Sequence, residues 1–149
     1  ESSLDNARGC VRKALEGGGG LEKLREIIEA QGGDPRIVDD PVQLPTAPSV
    51  ESVLAARSGY LASLDAELVG RATMVLGAGR DRVDQAIDHA VGAIVRVVPG
   101  EYVRTGHPVV ELHHRDARGL DEARRLVSRA VQIEDAPPAA APLILDSVA

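Results

Sequence analysis

The chain has 149 residues and a formal net charge of −6, from 17 Lys and Arg against 23 Asp and Glu, with 44 % hydrophobic residues. That length suits one domain, or one domain and part of another, and the apolar content is too high for a disordered tail. No apolar run approaches ~18 residues, which excludes a transmembrane helix, and no membrane partner is expected. The single cysteine, Cys10, excludes an internal disulfide framework and points to a reducing, cytoplasmic setting; an acidic chain without Phe or Trp lacks both the basic patch and the stacking platforms of a nucleic-acid binder.

Glu1-Ser2-Ser3-Leu4 has neither an initiator Met nor a signal segment and reads as the start of a helix in mid-protein, as in a fragment. Ser3 is an N-cap candidate, followed by Leu4, Ala7, Cys10, Val11, Ala14 and Leu15 at helical spacing on one face. Cys10 on that face reads as a buried small hydrophobe. Gly17–Gly20 ends the helix as a flexible connector; it follows a helix and lacks the Lys-Ser/Thr of a phosphate-binding loop. A second helix, about Leu21 to Gln31, carries Leu21, Leu24, Ile27 and Ile28 on one face and is closed by Gly32-Gly33. The helical hairpin, residues 1–33, cannot bury its apolar faces alone, so poor or promiscuous packing is expected of it in isolation. Residues 34–48 carry Pro35, Pro41, Pro45 and Pro48, and read as an extended, semi-rigid linker with the main boundary near residue 46.

From Ser49 the pattern becomes α+β. Val50–Leu54 and Tyr60–Leu64 read as strands around the Arg57-Ser58-Gly59 turn. Asp65 can cap a helix over Ala66–Leu76, ended by Gly77-Ala78-Gly79, and Arg80 to Ala86 reads as a charged loop. His89–Val98 reads as a buried strand, followed by strand candidates Glu101–Arg104 and Val109–His113. Leu120, Ala123, Leu126, Val127 and Ala130 mark a last amphipathic helix, and Val131–Ile133 a final strand. After the Pro/Ala stretch 136–142, Leu143-Ile144-Leu145 offers a small apolar anchor.

Catalytic signatures are missing: there is no Gly-x-Ser-x-Gly elbow, no His-Glu-x-x-His and no Cys-x-x-Cys. Glu111 and His113 share a strand face, but two ligands are too few for a metal, and the adjacent His113 and His114 point to opposite faces. His89 reads as a hydrogen-bonded structural histidine. Gly77-Ala78-Gly79-Arg80 has two local readings. One is a helix C-cap and turn; the other is a backbone that approaches a ligand, with an arginine to grip an anion. Gly92 to Leu112 resembles half of a biotinyl/lipoyl-type hairpin, but its far end reads His113-His114-Arg115-Asp116 where a carrier has its lysine. The two lysines, Lys13 and Lys23, both lie in the helical hairpin.

Ala30-Gln31-Gly32-Gly33-Asp34-Pro35, Val38-Asp39-Asp40-Pro41 and Leu44-Pro45 resemble the hinge region of the thymidine and pyrimidine-nucleoside phosphorylases. Ser58-Gly59-Tyr60, Leu76-Gly77-Ala78-Gly79-Arg80, Ala86–Gly92 and the Gly100–Gly106 hairpin follow in the order of that family, and Ser3–Arg8 resembles it with Asn6 where Glu is usual. The resemblance covers the chain and implies the C-terminal portion only: a helical remnant (1–33), a hinge (34–48) and, over 49–149, an α/β-hammerhead domain on a biotinyl/lipoyl-like barrel-sandwich scaffold. It implies a homodimeric parent that cleaves a pyrimidine nucleoside with phosphate to base and pentose 1-phosphate, without a cofactor in this segment. The family's Lys-His-Ser-Thr-Gly-Gly phosphate motif is absent here, so no catalytic residue carries over and the chain alone is expected to be inactive. The family implies that Gly77, Ala78, Gly79, Arg80 and Arg82 form a lid at the substrate cleft, completed by the preceding part of the same enzyme. The rival reading is a non-enzymatic carrier-like or interaction module on the same scaffold, and the missing lysine counts against a carrier.

Overall fold

A computed structural model describes residues 3–80, 84 and 86–139. The chain divides into two compact units between Pro45 and Thr46.

The N-terminal unit starts with α1 (Leu4–Glu16) and α2 (Gly19–Ala30). Ser3 caps α1: its hydroxyl oxygen accepts the Asn6 N–H at 3.2 Å. The connector is shorter than the run of four glycines suggests, because Gly19 and Gly20 join the first turn of α2. Neither helix contains a buried residue, and Leu4, Val11, Leu15, Leu21, Leu24 and Ile27 are exposed. Cys10 is therefore exposed, not buried as its position on the apolar face suggested. The segment read as an extended linker is corrected as well. It folds into two short 3-10 turns, Pro35–Val38 and Pro41–Gln43. Each proline stands first in its turn, where its fixed φ fits and its missing N–H costs nothing. Asp34 caps the first turn through the Arg36 N–H at 3.0 Å, and Arg25 of α2 reaches Asp39 at 2.5 Å.

The C-terminal unit is α+β. Its strands are β1 (Ser49–Leu54), β2 (Gly59–Leu64), β3 (Gly92–Val95), β4 (Tyr102–Val103), β5 (Pro108–His114) and β6 (Val131–Glu134). They form two three-stranded antiparallel sheets, ordered β1-β5-β3 and β4-β2-β6. Each sheet is extended by a backbone bond beside the Arg57-Ser58-Gly59 turn: Ala55 N–H to His107 O at 2.8 Å next to β1 and β5, and Leu61 N–H to Glu101 O at 2.9 Å next to β2 and β4. Tyr60 and Tyr102, the two aromatic residues, face each other across β2 and β4 with centroids 5.2 Å apart and rings at 76°.

Two helices complete this unit, α3 (Ala66–Thr73) and α4 (Leu120–Ala130), packed on one another. The core joins Val53, Leu61, Val103, Val110, Leu112 and Val127 with Ala72 and Ala123, and among the described residues no polar or charged residue is buried. Small aliphatic side chains thus fill the space that aromatic rings occupy in most cores. Full burial of each Val or Leu contributes about 1.5–3 kcal/mol.

Two expectations change here. The buried strand expected over His89–Val98 shortens to β3. Its Ile94 and Val95 are partly exposed because β3 is an edge strand paired only with β5. The helix expected to reach Leu76 ends its α-helical turns at Thr73 and continues as a π-type turn, Met74–Ala78.

Candidate functional site at the glycine loop

The glycine-rich stretch singled out by the sequence begins where α3 ends. Asp65 anchors the start of that helix: its carboxylate accepts the Leu68 N–H at 3.1 Å, and its own N–H donates to Ala130 O at 3.0 Å. The π-type turn then unwinds the helix, and Gly77 takes φ 108° and ψ 3°, a left-handed backbone that side-chain-bearing residues rarely adopt. A close approach fixes the turn from the other side. Gly119, with φ 73°, precedes α4, and a Cβ there would stand 2.6 Å from Val75 O, so glycine lets the two backbones touch. Gly79 is extended and lies against Met74, where a Cβ would meet Cγ at 2.7 Å.

Gly77, Ala78 and Gly79 are half-buried, and Arg80 is exposed without an ion pair to another described residue. Arg82 lies outside the described residues, as do most of the charged loop and Leu143-Ile144-Leu145. Beside Gly77 opens a cleft of about 310 Å³, lined also by Ala86, Asp88, Arg115, Asp116 and Arg118. Asp88 is its best-tied side chain. Arg115 grips it twice, Nε to Oδ2 at 2.7 Å and a terminal nitrogen to Oδ1 at 3.0 Å, and the Ala90 N–H donates to Oδ1 at 3.0 Å. These bonds, the Arg115 pair first, hold the Asp88 carboxyl down at about 2, and the same pair raises the Arg115 guanidinium. The Asp88 N–H in turn donates to Gly77 O at 2.9 Å.

Asp88, Arg115 and Arg118 were not singled out as site residues from the sequence. Arg115 had appeared only where a carrier would place its lysine. A local signal did exist for Asp88, since Asp followed two residues later by a small residue suits a side-chain-to-backbone turn. Nothing local links it to an arginine 27 positions on.

Elsewhere the histidines stand as follows. Glu111 accepts from Arg96 at 2.5 Å, which lowers its carboxyl, and lies 3.9 Å from His113 Nε2. That nitrogen is buried without a hydrogen bond to a described residue, whereas His114 Nδ1 lies 2.8 Å from Asp116 O. His89 is exposed in a turn. Among the described residues no group of three His, Cys, Asp or Glu side chains could hold a metal ion, and no helix is long and apolar enough to cross a membrane.

Residues 60–134, which run from β2 through the glycine loop, β3 to β5 and α4 to β6, match the family model described as the pyrimidine nucleoside phosphorylase C-terminal domain. The chain belongs to this family. Curated relatives extend the similarity over both units. A pyrimidine-nucleoside phosphorylase of Geobacillus stearothermophilus is 35% identical over 147 residues, covering 99% of this chain and 34% of its own length. One of Bacillus subtilis is 36% identical over 146 residues, covering 98% and 33%. One of Staphylococcus haemolyticus is 33% identical over 133 residues, covering 89% and 30%. The chain thus spans about a third of the length of the family members it matches, on their C-terminal part.

Proposed function

We propose that this chain is the C-terminal portion of a thymidine or pyrimidine-nucleoside phosphorylase, a pentosyltransferase. The parent cleaves a pyrimidine nucleoside with phosphate to the base and a (deoxy)ribose 1-phosphate. The observation that carries this reading is similarity to pyrimidine-nucleoside phosphorylases over 98–99% of the chain, through both units. On this reading the C-terminal unit is the hammerhead domain on its barrel-sandwich scaffold, the parent is a cytoplasmic homodimer, and no cofactor belongs to this segment. The preceding part of the enzyme covers the exposed apolar face of Leu4, Val11 and Leu15.

The segment's own task is architectural. In-line attack of phosphate on a held nucleoside needs charge stabilised at both ends of the bond being exchanged. This chain carries no cradle for either end, so alone it is inert. Gly77–Arg80 closes over the substrate cleft, the left-handed Gly77 acts as a hinge, and the exposed Arg80 is available to carbonyls or carboxylates of the enzyme body. A carrier role is disfavoured, since the two lysines of the chain, Lys13 and Lys23, both belong to the N-terminal unit and the scaffold of the C-terminal unit has none.

The test is phosphorolysis of thymidine and uridine by the full-length gene product, with this 149-residue chain as the control. Activity in the former and none in the latter is expected; product release that scales with the concentration of the isolated chain overturns the architectural role. Arg80→Ala in the full-length protein is expected to cost about 1–2 kcal/mol in kcat/KM, and unchanged kinetics would reduce the loop to a helix cap.

A further inference from the structure

Asp88 does two things at once. Its backbone N–H holds Gly77 O at 2.9 Å, and its side chain is held by both Arg115 and the Ala90 N–H. Gly77 opens the Gly77–Arg80 turn, so Asp88 ties the foot of that turn to the end of β5, where Arg115 follows His114. Just before it, the turn is also fixed by the approach of Gly119 to Val75 O. An ordinary surface ion pair between two flexible side chains contributes little. This one differs because the planar guanidinium forks across both carboxylate oxygens, and the carboxylate is also locked to its own backbone.

We propose that Asp88, held by Arg115, is a positioning residue: it pins the foot of the glycine loop to Gly77 and so sets where Gly77–Arg80 is presented. The functional half of this inference rests on the reading of that loop as a closing element of the cleft. With the pin intact, the loop meets the enzyme body already ordered at its base, and closure loses less chain entropy. With the side-chain clamp cut, the residue-88 N–H is still present but no longer held against Gly77 O, so that bond opens more often and the hinge samples more directions.

The experiment has a structural arm and a kinetic arm. In the 149-residue chain, backbone amide exchange is read at residue 88, with the amides of Val110 and Leu112 in β5 as reporters of the core. Asp88→Ala and Arg115→Ala are expected to speed exchange at residue 88 by about tenfold or more while leaving the core reporters unchanged. Arg115→Lys, which keeps the charge but loses the fork, should fall between wild type and Arg115→Ala. In the full-length protein, Asp88→Ala and Arg80→Ala should each lower kcat/KM, and the double variant should be little worse than either, as coupled residues require. Unchanged exchange at residue 88 overturns the pin. Faster exchange with an Arg80→Ala enzyme of normal kinetics leaves the pin standing and overturns the cleft-closing reading instead. An impaired Arg80→Ala enzyme beside a normal Asp88→Ala enzyme, or a strictly additive double variant, overturns the positioning role. Should an alanine variant lose protection in the core as well, Asp88→Asn and Arg115→Lys decide by the same criteria.

Discussion

The two units use the same aliphatic alphabet and reach opposite outcomes. In the N-terminal unit, Leu4, Val11, Leu15, Leu24 and Ile27 repeat at helical spacing, and none is buried. In the C-terminal unit, Leu120, Ala123, Leu126, Val127 and Ala130 repeat at the same spacing, and all are buried. The difference lies in what stands opposite. Helix α4 meets α3 and strands whose faces carry Leu112, Val110 and Val53, whereas two helices and two 3-10 turns offer no comparable surface within their unit. Periodicity marks which face wants cover; only a second element supplies it.

The contrast is open to direct attack, beginning where the effect should be largest. Leu112→Ala removes a side chain with no exposed surface from the centre of β5 and should destabilise the C-terminal unit by about 2–5 kcal/mol. Leu15→Ala, on a residue 72% exposed, should change the stability read by urea unfolding by no more than about 0.5 kcal/mol. A large effect of Leu15→Ala in this chain would mean that the helical face is covered after all. Next comes Gly119→Ala, which places a Cβ 2.6 Å from Val75 O at a positive φ; a loss of about 1–3 kcal/mol in thermal unfolding is expected.

The caps give a smaller and matched pair. Asp65→Ala, which frees the Leu68 N–H in the packed unit, should cost about 1 kcal/mol of cooperative stability. Ser3→Ala frees the Asn6 N–H of α1 and should lower helix content by circular dichroism without moving the unfolding midpoint of the C-terminal unit.

The smallest expected effect is in pH. Asp34 and Asp88, one in each unit, both have carboxyls held at about 2 by an arginine, below their ordinary 3.8. A folded-state value below the unfolded one means that the stabilisation is complete above about pH 4 and is lost as the pH falls toward 2. Both carboxylates border solvent, so the change is modest. Chemical-shift titration should find both midpoints well below 3.8, and Asp88→Asn should flatten the acid limb of the C-terminal unit's melting curve without altering that of Asp34. An Asp88 midpoint near 3.8 would show that Arg115 does not hold it in solution.

What the sequence determined by itself was local. Ser3 and Asp65 could be read as caps because a short oxygen-bearing side chain before a helix has one nearby N–H to satisfy. Helix α4 was legible in full because its apolar spacing matches the helical period, and the strands β1, β2 and β5 nearly so because short aliphatic runs stand between turn residues. The glycine loop was visible as a break, and its kinship was visible in the order of several short motifs. The tertiary structure decided the rest. That α3 unwinds through a π-type turn follows from neighbours the segment meets only after folding, and the 3-10 turns opened by Pro35 and Pro41 are tied to α2 through Arg25 and Asp39. Sheet order β1-β5-β3 and the exposure of the edge strand β3 depend on pairings between distant segments, which no local window contains. The grip of Arg115 on Asp88 belongs to the same class. A charged pair far apart in sequence becomes a pin only when two loops have been brought together by the strands beneath them, and contact, unlike periodicity, is a property of the folded chain.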